Sequence, residues 1–430
     1  MTEQALPPVA ERADAPDGRR GPTTLLRENT AFRNLWLANV VSLLGSQVSL
    51  VALPLTAVIV LDAGPAQMGY LTALITLPNL IFALHFGAWI DRRGHRRQTM
   101  IVADIGRAAL LATIPLAYAF DALTLPQLYV VGFLGGTLGV LFNIGFSTVF
   151  AAAVPRERLV EANQIASGTM ALSYAGGSSL GGAMVQILSA PVALVGDALS
   201  FLVSAFFLRR VDIVEPPTEE ATEGHISGGI RFIRETPIML ASLASTATIN
   251  LFTFAFYALF FLYTTRSLEV GPGVLGLVVA TGAIGGVIGA VLAGAASRRI
   301  GVGRTFLFGS FLFPAALTLV PAAAGPRPLV LAMLFTAQLL SGIGLMLQDI
   351  SANSISLAIV PDRLRSRVEG AYMVVNYGVR PLGALAGGLL ATAIGMQGTL
   401  WIATTCAVAG AVFLVASPVP SLHDLPDQLT

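Results

Sequence analysis

The sequence predicts an all-α membrane protein with twelve transmembrane helices in two pseudo-symmetric six-helix bundles. The first observation is composition: 55% of the 430 residues are hydrophobic and only 11% are charged, whereas soluble proteins carry about 25% charged residues. The second is a series of twelve long apolar runs. The third is a set of glycines that recurs in each half of the chain at a nearly constant offset.

The apolar runs fall into two sets of six. A helix that crosses a bilayer needs about 17–25 residues, and each run reaches that range. The first six runs are residues 35–61, 68–90, 99–120, 125–151, 165–188 and 192–208. The second six are residues 239–263, 273–296, 305–323, 329–349, 368–394 and 399–416.

The arginine positions predict how these helices are oriented. The chain has 25 basic residues, all of them arginine, and all but Arg107, Arg266, Arg327 and Arg380 lie on the side that carries both termini. Cytoplasmic loops of membrane proteins are enriched in arginine and lysine. We therefore expect a multi-pass inner-membrane protein whose arginine-rich side and both termini are cytoplasmic.

Five segments are predicted along the chain. The linker between the halves has an acidic middle, and its piece Ile230–Arg234 predicts a short amphipathic helix on the inner surface. The segments are a cytosolic tail (1–34), the first bundle (35–208), the cytoplasmic linker (209–237), the second bundle (238–416) and a second cytosolic tail (417–430).

The recurring glycines indicate that the two bundles are a sequence repeat. Two parallel repeats place a substrate site at their interface, near the middle of the bilayer. At an offset of 207 residues, Gly69, Gly87 and Gly94 match Gly276, Gly294 and Gly301, and at 206 residues Gly177, Gly181 and Gly182 match Gly383, Gly387 and Gly388.

The sequence gives no indication of enzymatic chemistry. It contains no metal-ligand spacing, nucleotide-binding loop or catalytic Ser/His/Asp arrangement, and its one cysteine, Cys406, can form no internal disulfide. A net charge of +1 gives no indication of a nucleic-acid partner. We expect no metal and no cofactor.

The basic turn between the second and third runs reads Gly87-x-x-x-Asp91-Arg92-x-Gly94-x-Arg96-Arg97. It resembles the signature loop of the major facilitator superfamily, and the predicted topology agrees. Further matches, such as Asp197 to Phe201 in helix 6 and Pro381 to Gly383 in helix 11, resemble the branch of enterobactin exporters and macrolide or multidrug efflux permeases. Two features depart from that branch: Ser46 replaces an acidic residue, and the arginine motif of helix 4 is missing.

The resemblance implies the major facilitator fold and a monomeric secondary transporter in the lipid bilayer. It also implies export of an amphipathic small molecule (a drug, macrolide or siderophore-like compound) by alternating access. Proton antiport would supply the energy. Two alternatives stay open: an importer or facilitator of a small metabolite, and a non-transporting membrane sensor or scaffold.

The resemblance implies that Asp91, in the signature loop, is part of an inner gate and pairs with the N-terminus of a neighbouring helix. For this chain the partner would be the start of helix 11, near Arg367, with Ser366 as a cap. The alternative is that the loop is a basic turn that sets topology. The second copy of the loop has Arg298 where the first has Asp91.

Charged residues inside membrane spans are costly and are paired or functional. Asp104 and Arg107 lie one helical turn apart and are expected to pair, either as structure or as a proton-handling site. Asp349, at the predicted inner end of helix 10, matches Asn143 in helix 4. It would be either a titratable or cation-attracting group of the cavity, or a residue in contact with water at the cytoplasmic edge of the membrane. Asp197 and Arg380 are expected to satisfy buried partners away from the cavity.

Two further sets of residues are assigned roles. Small residues at four-residue spacing allow close helix packing, a role predicted for Gly177, Gly181, Gly182, Gly383, Gly387 and Gly388. The candidate cavity-lining residues are Asn39, Ser42, Ser46, Gln47, Asn143, Asn250 and Tyr257. Interhelical hydrogen bonding is the alternative role for the polar residues of helix 1.

Overall fold

Twelve long helices form the described part of the chain. The structure is a computed structural model that describes residues 24–213 and 227–424, with the backbone alone at Leu84, Ala88, Asp91, Arg93 and Ser227. The bounds are α1 Thr30–Leu55, α2 Pro65–Arg93, α3 Arg96–Ala119, α4 Leu125–Ala153, α5 Leu159–Leu188, α6 Ala190–Arg209, α7 Pro237–Arg266, α8 Pro272–Ile300, α9 Val302–Leu317, α10 Arg327–Ile359, α11 Arg365–Ile394 and α12 Met396–Ala409.

The predicted all-α membrane fold is confirmed. Within the described residues, nine helices are long and apolar enough to cross a membrane by length and composition alone. The other three differ for simple reasons. α9 has only 16 residues, the continuous helix α5 has many glycines and serines that lower its mean hydropathy, and α11 carries Arg365, Arg367, Glu369 and Arg380.

Two helix boundaries differ from the sequence prediction. α10 continues to Ile359, ten residues beyond the predicted end, because polar side chains near its end can hydrogen-bond to the helix backbone. The Ser354 hydroxyl, for example, donates to the Ile350 carbonyl at 2.8 Å. α11 begins at Arg365, with Leu364 before it. Ser366 is therefore inside the helix and is not its cap.

A short surface helix, Ser227–Glu235, precedes α7. It occupies the piece for which the sequence predicts an amphipathic helix. Ile233 points into the core, whereas Arg231 and Arg234 are exposed. The helix rests on the start of α11, where a β-carbon on Gly229 would lie 2.2 Å from the Arg367 carbonyl oxygen.

The two halves meet through a symmetric pair of helix contacts, α2 with α11 and α5 with α8. A β-carbon on Gly69 would lie 2.9 Å from Cα of Gly388, and one on Gly182 would lie 2.7 Å from Cα of Gly276. Real β-carbons do not approach that closely, so the helices touch only because these residues are glycines. The repeat matches Gly69 with Gly276 and Gly182 with Gly388, so one contact is the symmetry partner of the other.

The two ends of the molecule are packed differently. We call the end with the α2–α3, α4–α5, α8–α9 and α10–α11 turns the arginine-rich end, and the other the sealed end. At the sealed end one apolar core joins both halves, from Val51 of α1 and Leu71 of α2 to Leu259 of α7 and Leu275 of α8. At the arginine-rich end the cores are separate. Two contain residues of the first half and one contains residues of the second.

The sealed end also carries an ion pair between the halves. Arg266, at the end of α7, pairs with Asp62 in the α1–α2 turn and approaches the Val58 carbonyl oxygen at 3.5 Å. Both side chains are substantially exposed, so this pair contributes at most about 1 kcal/mol. The shared apolar core is therefore what holds this end closed.

Candidate functional site

The second half presents accessible polar side chains in the interior of the bundle. Tyr257 of α7 is 36% exposed, yet many protein atoms surround it. Asp349 of α10 is also exposed and enclosed. A side chain that faced lipid would have open space around it. We therefore assign Tyr257 and Asp349 to a candidate cavity between the bundles.

Asp349 lies further from the end of its helix than the sequence predicted. It was predicted at the inner end of helix 10, but α10 continues for ten more residues to Ile359, which is about three helical turns. The position of the membrane edge does not follow from the length of the helix, so both readings of Asp349, as a cavity group and as an interfacial residue, stay predictions. Its nearest charged neighbour by electrostatic interaction is Arg380 of α11.

Arg380 has neighbouring partners, as the sequence predicted for it, and they include the candidate cavity residue Asp349. It is half-exposed, and its guanidinium lies over two aromatic rings, 4.5 Å from the Tyr377 centroid and 5.2 Å from the Phe254 centroid. Its Nε is buried and has no hydrogen-bond partner among the described residues. A cation on an aromatic face gains about 0.5–2 kcal/mol.

α11 contributes a polar stripe that the sequence analysis did not identify. Tyr372, Asn376 and Arg380 are spaced four residues apart and so lie on one helix face. Tyr372 and Ser242 share a hydrogen bond of 2.6 Å, and Asn250 donates to Asn376 at 3.3 Å. The four-residue spacing of polar groups in a membrane helix was the signal in the sequence.

The first half contributes fewer cavity residues than predicted. Asn143 of α4 is exposed, and Asn39 and Ser46 of α1 are partly exposed. Ser42 is only 4% exposed, because this face of α1 packs on α6. Gln47 accepts a hydrogen bond of 3.3 Å from Ser178 of α5. Gln47 therefore makes an interhelical hydrogen bond of the kind that the alternative reading of α1 predicted, and the cavity-lining role of Ser42 and Gln47 stays a prediction.

A separate ionisable cluster lies inside the first half. Asp104 and Arg107 form the predicted ion pair on α3, and the guanidinium lies 4.1 Å from the Phe201 ring centroid and 4.7 Å from that of Phe142. Asp197 of α6 interacts electrostatically with both.

Asp197 also has the buried partners that were predicted for it. It is 1% exposed, and it accepts hydrogen bonds from Ser49 of α1 and, at 3.0 Å, from Ser200 of α6. α1 and α6 approach closely here because Gly45 has no side chain. A β-carbon at Gly45 would overlap the Ser200 hydroxyl at 1.9 Å.

The signature loop is a tight turn that is fastened to the end of its own half. Gly94 has φ 64° and His95 has φ 55°, so two consecutive left-handed residues reverse the chain. Arg97 donates to the Val211 carbonyl, just after α6. Arg96 is buried and Arg92 is exposed, while Gly87 has open space where a β-carbon would lie. The side chain of Asp91 is outside the description, so its gate role stays a prediction.

The second copy of this loop is held in an equivalent way. Gly301 has φ 91°, and the two amides that follow it are bonded to the segment after α12. Val302 N–H donates to the His423 carbonyl at 3.1 Å, and Gly303 N–H donates to the Leu422 carbonyl at 3.0 Å.

All six glycines assigned to helix packing lie against a neighbouring helix. In α5, β-carbons on Gly177 and Gly181 would lie 2.9 Å from the Leu44 carbonyl oxygen and from Cα of Val48 in α1. Their matches do the same in α11: a β-carbon on Gly383 would meet Leu251 and one on Gly387 would meet Ala255, both in α7. Gly182 and Gly388 lie at the contacts between the halves.

A second concavity lies on the outer surface of the first half. It is a groove of about 530 Å³ between α3 and α6 whose exposed surface is almost entirely apolar, and Leu116 and Leu199 form part of its lining. It offers no polar group for orienting a ligand. The groove therefore belongs to the lipid-facing surface rather than to the candidate site.

Comparison with known proteins agrees with this arrangement. A family described as "Transmembrane secretion effector" matches residues 22–428. The multidrug efflux pump Tap of Mycolicibacterium fortuitum is 29% identical over 342 residues, which cover 75% of this chain and 80% of that protein. The Tap protein of Mycobacterium tuberculosis H37Rv is 26% identical over 427 residues, covering 95% of this chain and 96% of that protein.

Solved structures with the same fold are more distant in sequence. A bacterial homologue of the iron transporter ferroportin, in an inward-facing state, has 17% identity and a TM-score of 0.72, over 91% of this chain and 98% of that one. The nucleoside transporter NupG has 12% identity and a TM-score of 0.68, over 90% and 98%. At these identities the similarity concerns the fold alone.

Proposed function

Because the chain belongs to the transmembrane secretion effector family of the major facilitator superfamily, and is therefore a membrane transporter and not an enzyme, we propose that it exports an amphipathic small molecule from the cell. The transport is proton antiport with alternating access, carried out by a monomer in the cell membrane. The proton gradient supplies the energy without a cofactor. The similarity to the Tap multidrug efflux pumps supports the export of drugs.

The observation that carries this proposal is the difference between the two ends. One core seals both halves together at one end, and the cores stay apart at the other. The open end is the arginine-rich one, which the positive-inside rule assigns to the cytoplasm. A cavity that opens to the cytoplasm is the state in which an exporter takes up its substrate.

The chemistry of the cavity wall suits an amphipathic molecule. Phe254, Tyr257 and Tyr377 supply aromatic surface, which binds apolar groups without demanding one shape. Asp349 and Arg380 supply one charge of each sign. Such a wall accepts an apolar body with a polar or charged group.

Reconstitution tests this proposal. The protein is placed in vesicles with an acidic interior, and a panel of cationic, neutral and anionic amphipathic dyes is added outside. We expect inverted molecules to accumulate at least one dye class, and a protonophore to abolish the accumulation. Vesicles with equal pH on both sides are the control. Dye flux that does not depend on the pH gradient would contradict antiport. Dye binding without flux would favour the sensor or scaffold reading.

A further inference from the structure

When both of its carboxylates are ionised, the ionisable cluster of the first half has one more negative charge than positive charges. Asp104, Arg107 and Asp197 are two carboxylates and one guanidinium within a buried region. Arg107 pairs directly with Asp104, whereas the groups that contact Asp197 are the neutral hydroxyls of Ser49 and Ser200. A buried charge without an opposite charge is costly, and the usual remedy is a bound proton.

No further charge from the surrounding helices balances the cluster. α1 contributes Ser49 and Gly45, and its one charged residue, Arg33, lies sixteen residues before Ser49. α4 contributes Phe142 and has no charged residue along its length. In α5, which packs beside α1 and α6, the one charged residue is Glu161 at the arginine-rich end. Arg107 is thus the cation that both carboxylates share.

Asp104 is satisfied within the cluster in its ionised form. Its side chain and that of Ser204, on the neighbouring turn of α6 from Ser200, are both 0% exposed, and the Ser204 hydroxyl interacts with the Asp104 carboxylate as a hydrogen-bond donor. Asp104 also forms the ion pair with Arg107. Asp197 is therefore the carboxylate of the cluster that has no directly paired cation.

We propose that this cluster binds the proton that drives export, and that Asp197 is the carboxyl that takes it. The inference rests on the proposed antiport and names the residue that carries the coupling ion. Asp104 stays ionised because Arg107 is bonded to it. Asp197 has no such partner, so its ionised form is the less stable of the two. One proton brings the net charge of the cluster to zero.

The proton changes a contact between helices. As a carboxylate, Oδ2 of Asp197 accepts the hydrogen of the Ser49 hydroxyl. A proton from the outer solution forms an O–H bond on that oxygen, which then donates, so the Ser49 hydrogen must turn elsewhere. Release of this proton to the cytoplasm restores the first arrangement. Ser49 belongs to α1, whose end packs on α7 in the seal between the halves, so proton binding acts on that seal.

Two transport measurements on Asp197→Asn test the proposal. The first is dye accumulation driven by an acidic vesicle interior. The second is exchange of labelled for unlabelled dye at equal pH, which needs no coupling ion. We expect the variant to lose at least tenfold in accumulation and to keep exchange within twofold of wild type. Asp104→Asn should behave the same way, because Asp197 then balances Arg107 without a proton.

Asp121→Asn is the matched control, since Asp121 is exposed in the α3–α4 turn at φ 52°, a conformation that asparagine tolerates. It should retain both activities. Accumulation by Asp197→Asn at the wild-type level would overturn the proposal. Loss of exchange in both carboxylate variants would also overturn it and leave a structural cluster. If dye accumulation by the wild-type protein did not depend on the pH gradient, the antiport of the proposed function would be refuted, whatever the variants show.

Discussion

Asp349 and Asp197 are the same residue type in two different surroundings. Asp349 is exposed and interacts electrostatically with Arg380 of α11. Asp197 is enclosed between α1 and α6 and bonds to hydroxyls. Accessibility suits recognition of a ligand, because a dissolved molecule can reach the carboxylate. Enclosure suits the binding of a proton, because a proton adds almost no volume to the carboxylate that it binds.

Replacing Asp349 by asparagine should change which substrates are transported. The carboxylate attracts a positively charged dye in the cavity, and its loss should cost about 1 kcal/mol of binding at a solvated site. That corresponds to about a fivefold rise in KM. We expect cationic dyes to be affected and neutral dyes to be unaffected, as measured by initial uptake rates over a range of dye concentrations.

Asp212→Asn is the control for that change, because Asp212 is exposed after the end of α6 and far along the chain from the cavity wall. An equal loss for neutral and cationic dyes would point to damage of the transport cycle instead of a lost attraction. An unchanged KM for cationic dyes would remove Asp349 from the site.

The candidate site was only partly predictable from single residues. The Asp104–Arg107 pair follows from spacing along one helix, and it is present as expected. The positions of Asp349 and Arg380 depend on how far α10 extends and on how α11 faces α7. Neither is encoded in the spacing of one run. For Ser42 and Gln47, the helix face was identified, but the neighbour that covers it was not.

At the scale of helices, glycine positions set how closely the two halves approach. Gly182 in α5 and Gly276 in α8 bring two backbones into contact, and Gly69 with Gly388 repeats this on the other side of the molecule. Other glycines of α5, such as Gly168, have open space around them. The same residue type in one helix therefore has two different consequences.

Gly182→Ala and Gly168→Ala form a matched pair on α5. A methyl group at Gly182 would be forced to 2.7 Å from the backbone of Gly276, and such overpacking costs about 1–3 kcal/mol. At Gly168 the methyl group meets nothing, and alanine favours the helix by up to about 1 kcal/mol. We expect a lower Tm for the first variant and an unchanged or higher Tm for the second, measured by tryptophan fluorescence in detergent.

Equal Tm values for the two alanine variants would show that the α5–α8 contact is looser than described. This comparison also marks what the sequence could predict at this scale. The four-residue glycine spacing predicted close packing, and the repeat predicted that both sets would behave alike. The partner helix of each glycine came only from the structure, because spacing along one helix carries no information about which neighbour it meets.

At the scale of the whole molecule, the arrangement of cores defines which end is open. The shared core at the sealed end includes Leu71, Leu259 and Leu275 from three helices in two halves. The sequence predicted two bundles and their orientation from apolar runs and arginines. It did not predict which end is closed, because both ends of a transporter must carry surfaces able to seal.

Labelling with a membrane-impermeant maleimide tests the open end. Cys406 is the one cysteine in the sequence, so Cys406→Ser gives a background in which single cysteines can be placed. Asn143→Cys, on an exposed position of α4, should react from the cytoplasmic side. Ala258→Cys, at a position that is 0% exposed between the halves, should stay unlabelled.

The control for that labelling is reagent applied to the outer face of sealed, right-side-out vesicles. Strong labelling of Asn143→Cys from that face would show that the resting protein opens outward, and would contradict the orientation drawn from the arginines.

The contacts made by Val211 and by Leu422 and His423 have a practical consequence. Each of these segments follows one six-helix half and is fastened to the hairpin of that same half, at Arg97 in one case and at Val302 and Gly303 in the other. A break in the chain between residues 213 and 227 would leave both fastenings intact within their own fragments. The protein is thus suited to production as two coexpressed polypeptides that reassemble. Each polypeptide would keep the hydrogen bonds between its hairpin and the segment that follows its last helix.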